Sequence, residues 1–470
     1  MAVPLLQTST VRVHGAICFS YMNPRRQVWE LRSSSSQAFP CRTRPGHFGC
    51  MKAYCPNSSS VASLAKISVR AHLEASEGPL KSNDTKFQQQ HQLHDFIIPK
   101  FIPPFSHKRN PLEEEANRAA QQWYHHYFSS TLIPETFYKI KNASCQTIPR
   151  SFYKIKNVNF QTIPVSVHST AKLSHLEWAF EFYMFLFSID DVVGHKTRSS
   201  SLEDLEEFFL ELMVVIISSF PKDYLLKENL TKHFDDEIDH KLIKDFAEKV
   251  LARAMQHSKT DFDEHKVSPV CAAFSNLWSR ATSEMPKEWN RRYAQIIQQS
   301  MLSQFLEARN LFLKKNPSIS TYMSQRNEFG YMNAALGIID YVDDIFLPNT
   351  VYYNSTMQRL LQATGDVACW HNDIYSFQKE LMNGEMSNLV IIIGKEKGSS
   401  YNKAAEIVNQ MVLDKLEEIH YAIADLRIQT QSNNEITASQ RVATEQYIMG
   451  CTRFISSTHE FHSQSSRFQV

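Results

Sequence analysis

Apolar positions recur at helical spacing over most of the chain beyond residue 170. Between residues 173 and 189 they crowd every face, with Leu176, Trp178, Phe180, Phe182, Phe185 and Phe187 among them. A helix that is apolar all round is buried on several sides. Residues 202–220 repeat the pattern with acids in the first turn, where they complement the helix dipole. Residues 221–266 are highly charged and predict a peripheral helical insertion. Helical periodicity then returns over 271–278, 289–313, 318–346, 351–383, 401–429 and 437–462.

Upstream, residues 96–105 read FIIPKFIPPF, and the prolines predict an extended arm. Asn110 as cap, Pro111 at the first helical position and Glu113 closing a capping box predict a helix start, continued by Trp123, Tyr124 and Tyr127. Residues 137–149 (FYKIKNASCQTIP) and 152–164 (FYKIKNVNFQTIP) form a tandem duplication with a 15-residue period. Repeat architectures need more copies than this, so the duplication reads as a surface connection without chemistry. Strands find little room, and the fold class is all-α.

Composition narrows the function. Twelve glycines in 470 residues leave no material for a Gly-rich phosphate loop, a dinucleotide fold or a turn-rich sandwich. Thirty Phe and 18 Tyr supply a large core. The net charge of +1 argues against a nucleic-acid partner. The longest apolar run, residues 208–220, is broken by Glu211 and too short to span a bilayer, so no transmembrane segment is expected.

The small net charge hides an asymmetry. Residues 1–70 carry nine Lys and Arg against one acid, Glu30, and 14 Ser and Thr. A Ser- and Arg-rich, acid-poor leader predicts an organelle transit peptide, with Ala2 favouring a plastid address and a cytoplasmic location as the alternative. Residues 71–94 read as a linker and 95–470 as one domain. The eight cysteines show neither Cys-x-x-Cys nor paired Cys/His spacing, which gives a disulfide framework or a zinc site little support.

Two polar motifs interrupt the apolar helices. Asp190-Asp191 closes the aromatic helix of residues 173–189. Adjacent carboxylates there either mark its exit into solvent or meet a cation, because burying them unpaired is costly. The second motif is Asn372-Asp373-Ile374-Tyr375-Ser376-Phe377-Gln378-Lys379-Glu380. Asn372, Ser376 and Glu380, four residues apart, fall within about 80° on one helix face. An ordinary polar face looks the same in sequence. Amide, hydroxyl and carboxylate oxygens are nevertheless the hard donors Mg2+ prefers. Lys379, about 20° from Asn372 on the opposite flank, can pair with a phosphate.

The second motif resembles the Asn/Ser/Glu metal motif of class I terpene synthases, and the aromatic helix with Asp190-Asp191 resembles their aspartate-rich motif. Pro317, Tyr322 and Arg326 resemble the segment that carries a diphosphate-sensing arginine, 46 residues before Asn372. Gly330 matches the glycine whose carbonyl points at the ionising carbon, and Arg467 the arginine of the terminal Arg-Tyr pair. The similarity runs from about Phe96 to Phe468, with the single-domain, microbial-like synthases of nonseed land plants.

That resemblance implies a class I helical bundle and a prenyl diphosphate substrate. Farnesyl diphosphate is favoured; geranyl and geranylgeranyl diphosphate stay open, since a plastid address favours them. The resemblance also implies Mg2+, about three ions to a site with Mn2+ as an alternative, held by Asp190, Asp191, Asn372, Ser376 and Glu380. Arg326, Lys379 and Arg467 would bind the departing diphosphate. Phe182, Phe185 and Phe329, with Trp178, Trp370 and Phe454, are candidates to face a carbocation, each equally readable as core. A monomer or homodimer is expected.

Departures from the family pattern accompany the matches. Gly194 and His195 stand where a third acid is usual, Phe468 where a tyrosine is usual, and Phe329 where a polar residue is common. About 40 extra residues separate Asp190 from Arg326, relative to compact bacterial members. They contain Asp235-Asp236-Glu237-Ile238-Asp239, read as a solvated helix start rather than the metal motif. Rival readings are a chain-elongating prenyltransferase, which would need a second aspartate-rich motif, and a catalytically silent helical protein that keeps the fold.

Overall fold

The computed structural model describes residues 95–128, 159–218, 237–256 and 268–468. The transit-peptide and linker readings, residues 137–158 of the duplication and Asp235-Asp236 lie outside these residues. Among the described residues every regular element is helical.

The prolines of residues 96–105 keep the arm extended, as predicted. The helix that follows, α1 (Glu113–Phe128), starts differently from the predicted capping box. The Asn110 backbone N–H is already bonded to the Val165 carbonyl at 2.9 Å, so Glu113 has no cap donor to reach. Glu113 instead accepts from Arg109 Nε at 2.9 Å. The Asn110 side chain is buried and donates to the His168 and Ala171 carbonyls at 2.8 and 3.0 Å. It thereby fixes α1 to the short helix α2 (Thr162–Val167).

The aromatic helix α3 spans Leu173–Ser199. It continues past Asp190 rather than ending there, so Asp190 and Asp191 sit within it, about two turns before its end. Gly194 and His195 extend the helix instead of breaking it. Next come α4 (Leu202–Ser218) and α5 (Glu237–Gln256). In the charged insertion, α5 still buries one stripe, with Phe246 stacked on Phe305 at 4.9 Å. Then follow α6 (Pro269–Glu284) and α7 (Lys287–Phe312).

The periodic stretch 318–346 is three helices, α8 (Ile319–Phe329), α9 (Met332–Gly337) and α10 (Ile339–Val342). The break falls at Gly330-Tyr331, where Tyr331 takes a left-handed φ of 58°. A Cβ on Gly330 would lie 2.6 Å from Arg326 Nη1 and 2.9 Å from the Arg326 carbonyl oxygen. Only glycine lets the chain turn so close to that arginine.

After α11 (Asn349–Tyr352) comes α12 (Ser355–Met382), capped by Asn354, which accepts from Thr356 N at 2.8 Å. Two long helices complete the bundle, with α13 (Leu389–Lys397) between α12 and the first of them: α14 (Tyr401–Ser432) and α15 (Ala438–Gln464), the latter opened by a Thr437/Gln440 capping box. A single 3-10 turn, Ser466–Phe468, ends the described chain. Helix α12 packs along α14 and α15, α15 on α2, α2 on α3, α3 on α7, and α7 on α8, which returns to α12. Helices α3, α7, α8 and α12 of this ring, with the 3-10 turn that follows α15, carry the charged groups of the site. No described helix is long and apolar enough to cross a membrane.

Candidate active site

Two charged clusters form at one end of this ring. In the first, the carboxylates of Asp190 and Asp191 on α3 both meet Arg467. One guanidinium nitrogen donates to Asp191 Oδ1 at 3.0 Å and the other to Asp190. Arg467 is largely covered and Asp190 exposed, and the guanidinium also lies 5.5 Å from the Phe187 ring centroid. The cation that two adjacent carboxylates require thus comes from the C-terminal turn. Phe468, in place of the family's tyrosine, packs 5.4 Å from His462 and 6.3 Å from Tyr375.

The second cluster centres on Asp373, buried on α12. Arg326 on α8 donates to Asp373 Oδ1 through Nε at 3.1 Å and Nη2 at 3.0 Å. The Tyr322 hydroxyl donates to Oδ2 at 2.7 Å, and Leu389 N at 3.1 Å. Four donors hold one carboxylate. Burial disfavours the Arg326 charge, but Asp373 more than compensates and raises its pKa well above the usual arginine value. Arg326 Nη2 reaches Asn372 Oδ1 as well, at 3.3 Å. Arg326 also lies 5.1 Å from the Phe329 ring centroid. The aromatic residue found where a polar one is common therefore stacks on Arg326.

On the same face of α12, Ser376 and Glu380 share a partner. Asn388 Nδ2 lies 3.3 Å from Ser376 Oγ and 2.9 Å from Glu380 Oε2, while its Oδ1 caps α13 through Val390 N at 2.9 Å. Burial, with Asp373 and Glu385 nearby, pushes the Glu380 carboxyl up to about 7. Glu380 makes no ion pair among the described residues. A largely covered acid outside any ion pair, beside hydroxyl and amide oxygens, fits a hard divalent cation. No three His, Cys, Asp or Glu side chains converge on a metal position among the described residues. The Asn/Ser/Glu set contributes only one acid.

The two clusters are electrostatically linked. Lys379 is depressed by burial and by Arg467, and is supported by Asp190 and Glu380. Glu307, on α7, lies within reach of both clusters. Burial pushes it up to about 7, with Ser387 hydrogen-bonded to it, Asp190 raising it further and Arg326 opposing.

The aromatic candidates pack against other rings and side chains. Phe182 stacks on Trp178 at 5.1 Å and Phe185 on Phe274 at 5.2 Å. The Trp370 ring lies under Lys415 at 5.8 Å, toward α14. Sequence reasoning missed Asn388, Glu307 and the role of Asp373. Asn388 left a legible signal, an asparagine immediately before the apolar run 389–393. Glu307 left only an acid between Leu306 and Ala308.

Comparison with known proteins agrees with this architecture. The profile of terpene synthase family 2, C-terminal metal binding, matches residues 229–418, which include Arg326 and Asn372–Glu380 and begin after Asp190. The matched segment is similar to the C-terminal metal-binding part of that family, and the all-helical fold is that of class I terpene synthases. Alpha-gurjunene synthase from Marchantia polymorpha is 26% identical over 309 residues, covering 62% of this chain and 70% of the relative. A (+)-T-muurolol synthase, named as (2E,6E)-farnesyl diphosphate cyclizing, from Roseiflexus castenholzii is 25% identical over 197 residues, covering 42% of this chain and 58% of the relative. Among solved structures, hedycaryol synthase aligns with a TM-score of 0.57 at 18% identity, covering 78% of this chain and 99% of that one. Germacradien-4-ol synthase from Streptomyces citricolor aligns with a TM-score of 0.54 at 18% identity, covering 78% and 98%.

Proposed function

We propose that the chain ionises a prenyl diphosphate, farnesyl diphosphate first among the candidates, and releases diphosphate as it forms terpene hydrocarbons or alcohols. The observation that carries this reading is the pair of linked clusters, Arg467 on Asp190-Asp191 and Arg326 on Asp373, on either side of Lys379. A leaving diphosphate carries several negative charges. Three cations on separate elements, two of them held by carboxylates, are a preorganised receptor for charge that grows as the carbon–oxygen bond breaks. Asp190 and Asp191 on one side, and Asn372, Ser376 and Glu380 on the other, would hold Mg2+. When bound, Mg2+ neutralises the diphosphate and makes it a better leaving group.

The protein's own contribution is positional. Asp373 orients the Arg326 fork, and Gly330 admits the chain break beside it. Arg467 exchanges between the Asp pair and the diphosphate, so the C-terminal turn closes over bound substrate and excludes water. The name of the Roseiflexus castenholzii relative, farnesyl diphosphate cyclizing, supports the farnesyl chain length. The acid-poor leader supports a plastid address, and a fluorescent fusion of residues 1–94 found only in the cytosol would remove it.

The test is a product assay. The full chain is incubated with Mg2+ and, separately, geranyl, farnesyl and geranylgeranyl diphosphate, and extracts are analysed by gas chromatography with mass detection. Cyclic or rearranged products from farnesyl diphosphate are expected. Longer prenyl diphosphates formed when isopentenyl diphosphate is added would favour chain elongation. A folded protein that releases no diphosphate from any substrate would overturn the reading.

A further inference from the structure

Behind Asn372, three histidines form a chain. Asn372 Nδ2 lies 3.3 Å from His462 Nε2. His462 Nδ1 lies 3.0 Å from His371 Nδ1. His371 Nε2 lies 3.3 Å from His459 Nδ1. His371 is on α12, His459 and His462 on α15. His371 and His462 are 2% and 6% exposed, so bulk water does not satisfy their nitrogens. Rings enclose them. Phe101 of the N-terminal arm lies 4.7 Å from His371 and Phe468 lies 5.4 Å from His462. Because His371 turns its two nitrogens toward different neighbours, no single metal ion can take all three imidazoles.

Hydrogen counting fixes every proton in this chain. Arg326 only donates, so the Asn372 atom facing it is the amide oxygen. The Asn372 nitrogen must then face His462, and His462 Nε2 must accept. A buried imidazole that accepts at Nε2 carries its proton on Nδ1, which donates to His371 Nδ1. His371 therefore carries its proton on Nε2 and donates to His459 Nδ1. His459 is left with its proton on Nε2, at the partly exposed end. Burial, which lowers the pKa of all three, agrees with neutral rings.

We infer that His462, backed by His371 and His459, is a positioning residue that holds the Asn372 amide with its oxygen toward Arg326 and the cation face of α12. The inference rests on the proposed metal role of Asn372. Without the His462 acceptor, the amide nitrogen loses its partner on the half-buried face of α12, and a flipped amide would present hydrogens to a cation instead of a lone pair.

Two measurements test this. Long-range 15N–1H correlation spectra of the metal-free full chain read the tautomers directly. The expected pattern is Nδ1–H for His462 and Nε2–H for His371 and His459; Nε2–H or a doubly protonated His462 at neutral pH overturns the inference. Calorimetric titration of Mg2+ with inorganic diphosphate then compares wild type, His462→Leu and His462→Gln. The Leu variant is expected to bind about 10-fold more weakly. The Gln variant, which keeps an acceptor, recovers most of the affinity. In turnover, the Leu variant needs more Mg2+ for half-maximal rate while kcat at saturating Mg2+ falls less. Equal Mg2+ affinity in wild type and His462→Leu overturns the positioning role alone. Failure of the wild type to bind Mg2+ and diphosphate overturns the proposed function itself. If His462→Leu does not fold, the wild-type tautomers and the Gln variant still decide.

Discussion

Arg467 binds Asp191 at 3.0 Å across 276 residues of chain, and the same guanidinium takes Asp190. The C-terminal turn is thus tied to the aromatic helix by the carboxylates that would hold metal, so a cation bound there would compete with Arg467 for them. Removing the arginine leaves those carboxylates free but deletes a fixed cation from the diphosphate receptor. Arg467→Ala is expected to lower kcat by about 10²–10³-fold. Steady-state kinetics with farnesyl diphosphate check this, and a variant within twofold of wild type would remove Arg467 from the mechanism.

The two aspartate pairs, Asp190-Asp191 and Asp235-Asp236, are separable by mutation. Asp190→Asn should abolish most turnover, and Asp235→Asn should leave it nearly intact. The reverse result would move the metal motif to the charged insertion.

Asp373 is the counter-ion of Arg326 and receives four hydrogen bonds. Asp373→Asn leaves a mostly buried guanidinium without its charge partner. Breaking such a pair costs about 3–5 kcal/mol. Thermal or urea unfolding should register a loss of that order, with activity falling in the fraction that remains folded. A variant as stable as wild type would mean that solvent or another acid takes over the pairing.

Gly330→Ala is expected to displace Arg326, because the added Cβ meets its Nη1 at 2.6 Å and its carbonyl at 2.9 Å. A shift near 1 Å at a positioning residue can cost about 10²-fold in rate. The comparison of kcat/KM between wild type and Gly330→Ala reads it. Unchanged kinetics would show that the break at Tyr331 absorbs the methyl group without moving the guanidinium.

Glu328, on α8, gives a pH dependence of known sign. Burial pushes its carboxyl from the ordinary 4.5 up to about 7, although Asn333 donates to it. The folded state therefore binds this proton more tightly than the unfolded state. Its contribution to stability is present below pH 4.5 and is lost as pH rises toward 7, at roughly 1.4 kcal/mol per unit. Glu328→Gln should flatten the decline in unfolding free energy between pH 5 and pH 7.5. Parallel pH profiles for wild type and the Gln variant would show that Glu328 ionises in the fold as it does in the open chain.

What could be read without the fold follows from local geometry. Helical spacing and scarce glycine made the chain all-α. The four-residue interval put Asn372, Ser376 and Glu380 on one face, because a helix turns about 100° per residue whatever surrounds it. The capping box at Asn110 failed for a reason outside its own window, the bond that its backbone N–H gives to the Val165 carbonyl in α2, about 55 residues on.

Only tertiary packing decided which cation meets Asp190 and Asp191, which acid orients Arg326, and where Glu307 and the three histidines fall. Each depends on how one helix lies against another from a distant part of the chain. His371 and His462 are 91 residues apart, and neither has a spacing that singles it out. Sequence periodicity records which face of a helix is buried. It does not record what that face meets, since the same apolar stripe can pack against several partners and only the closed ring of α2, α3, α7, α8, α12 and α15 selects one.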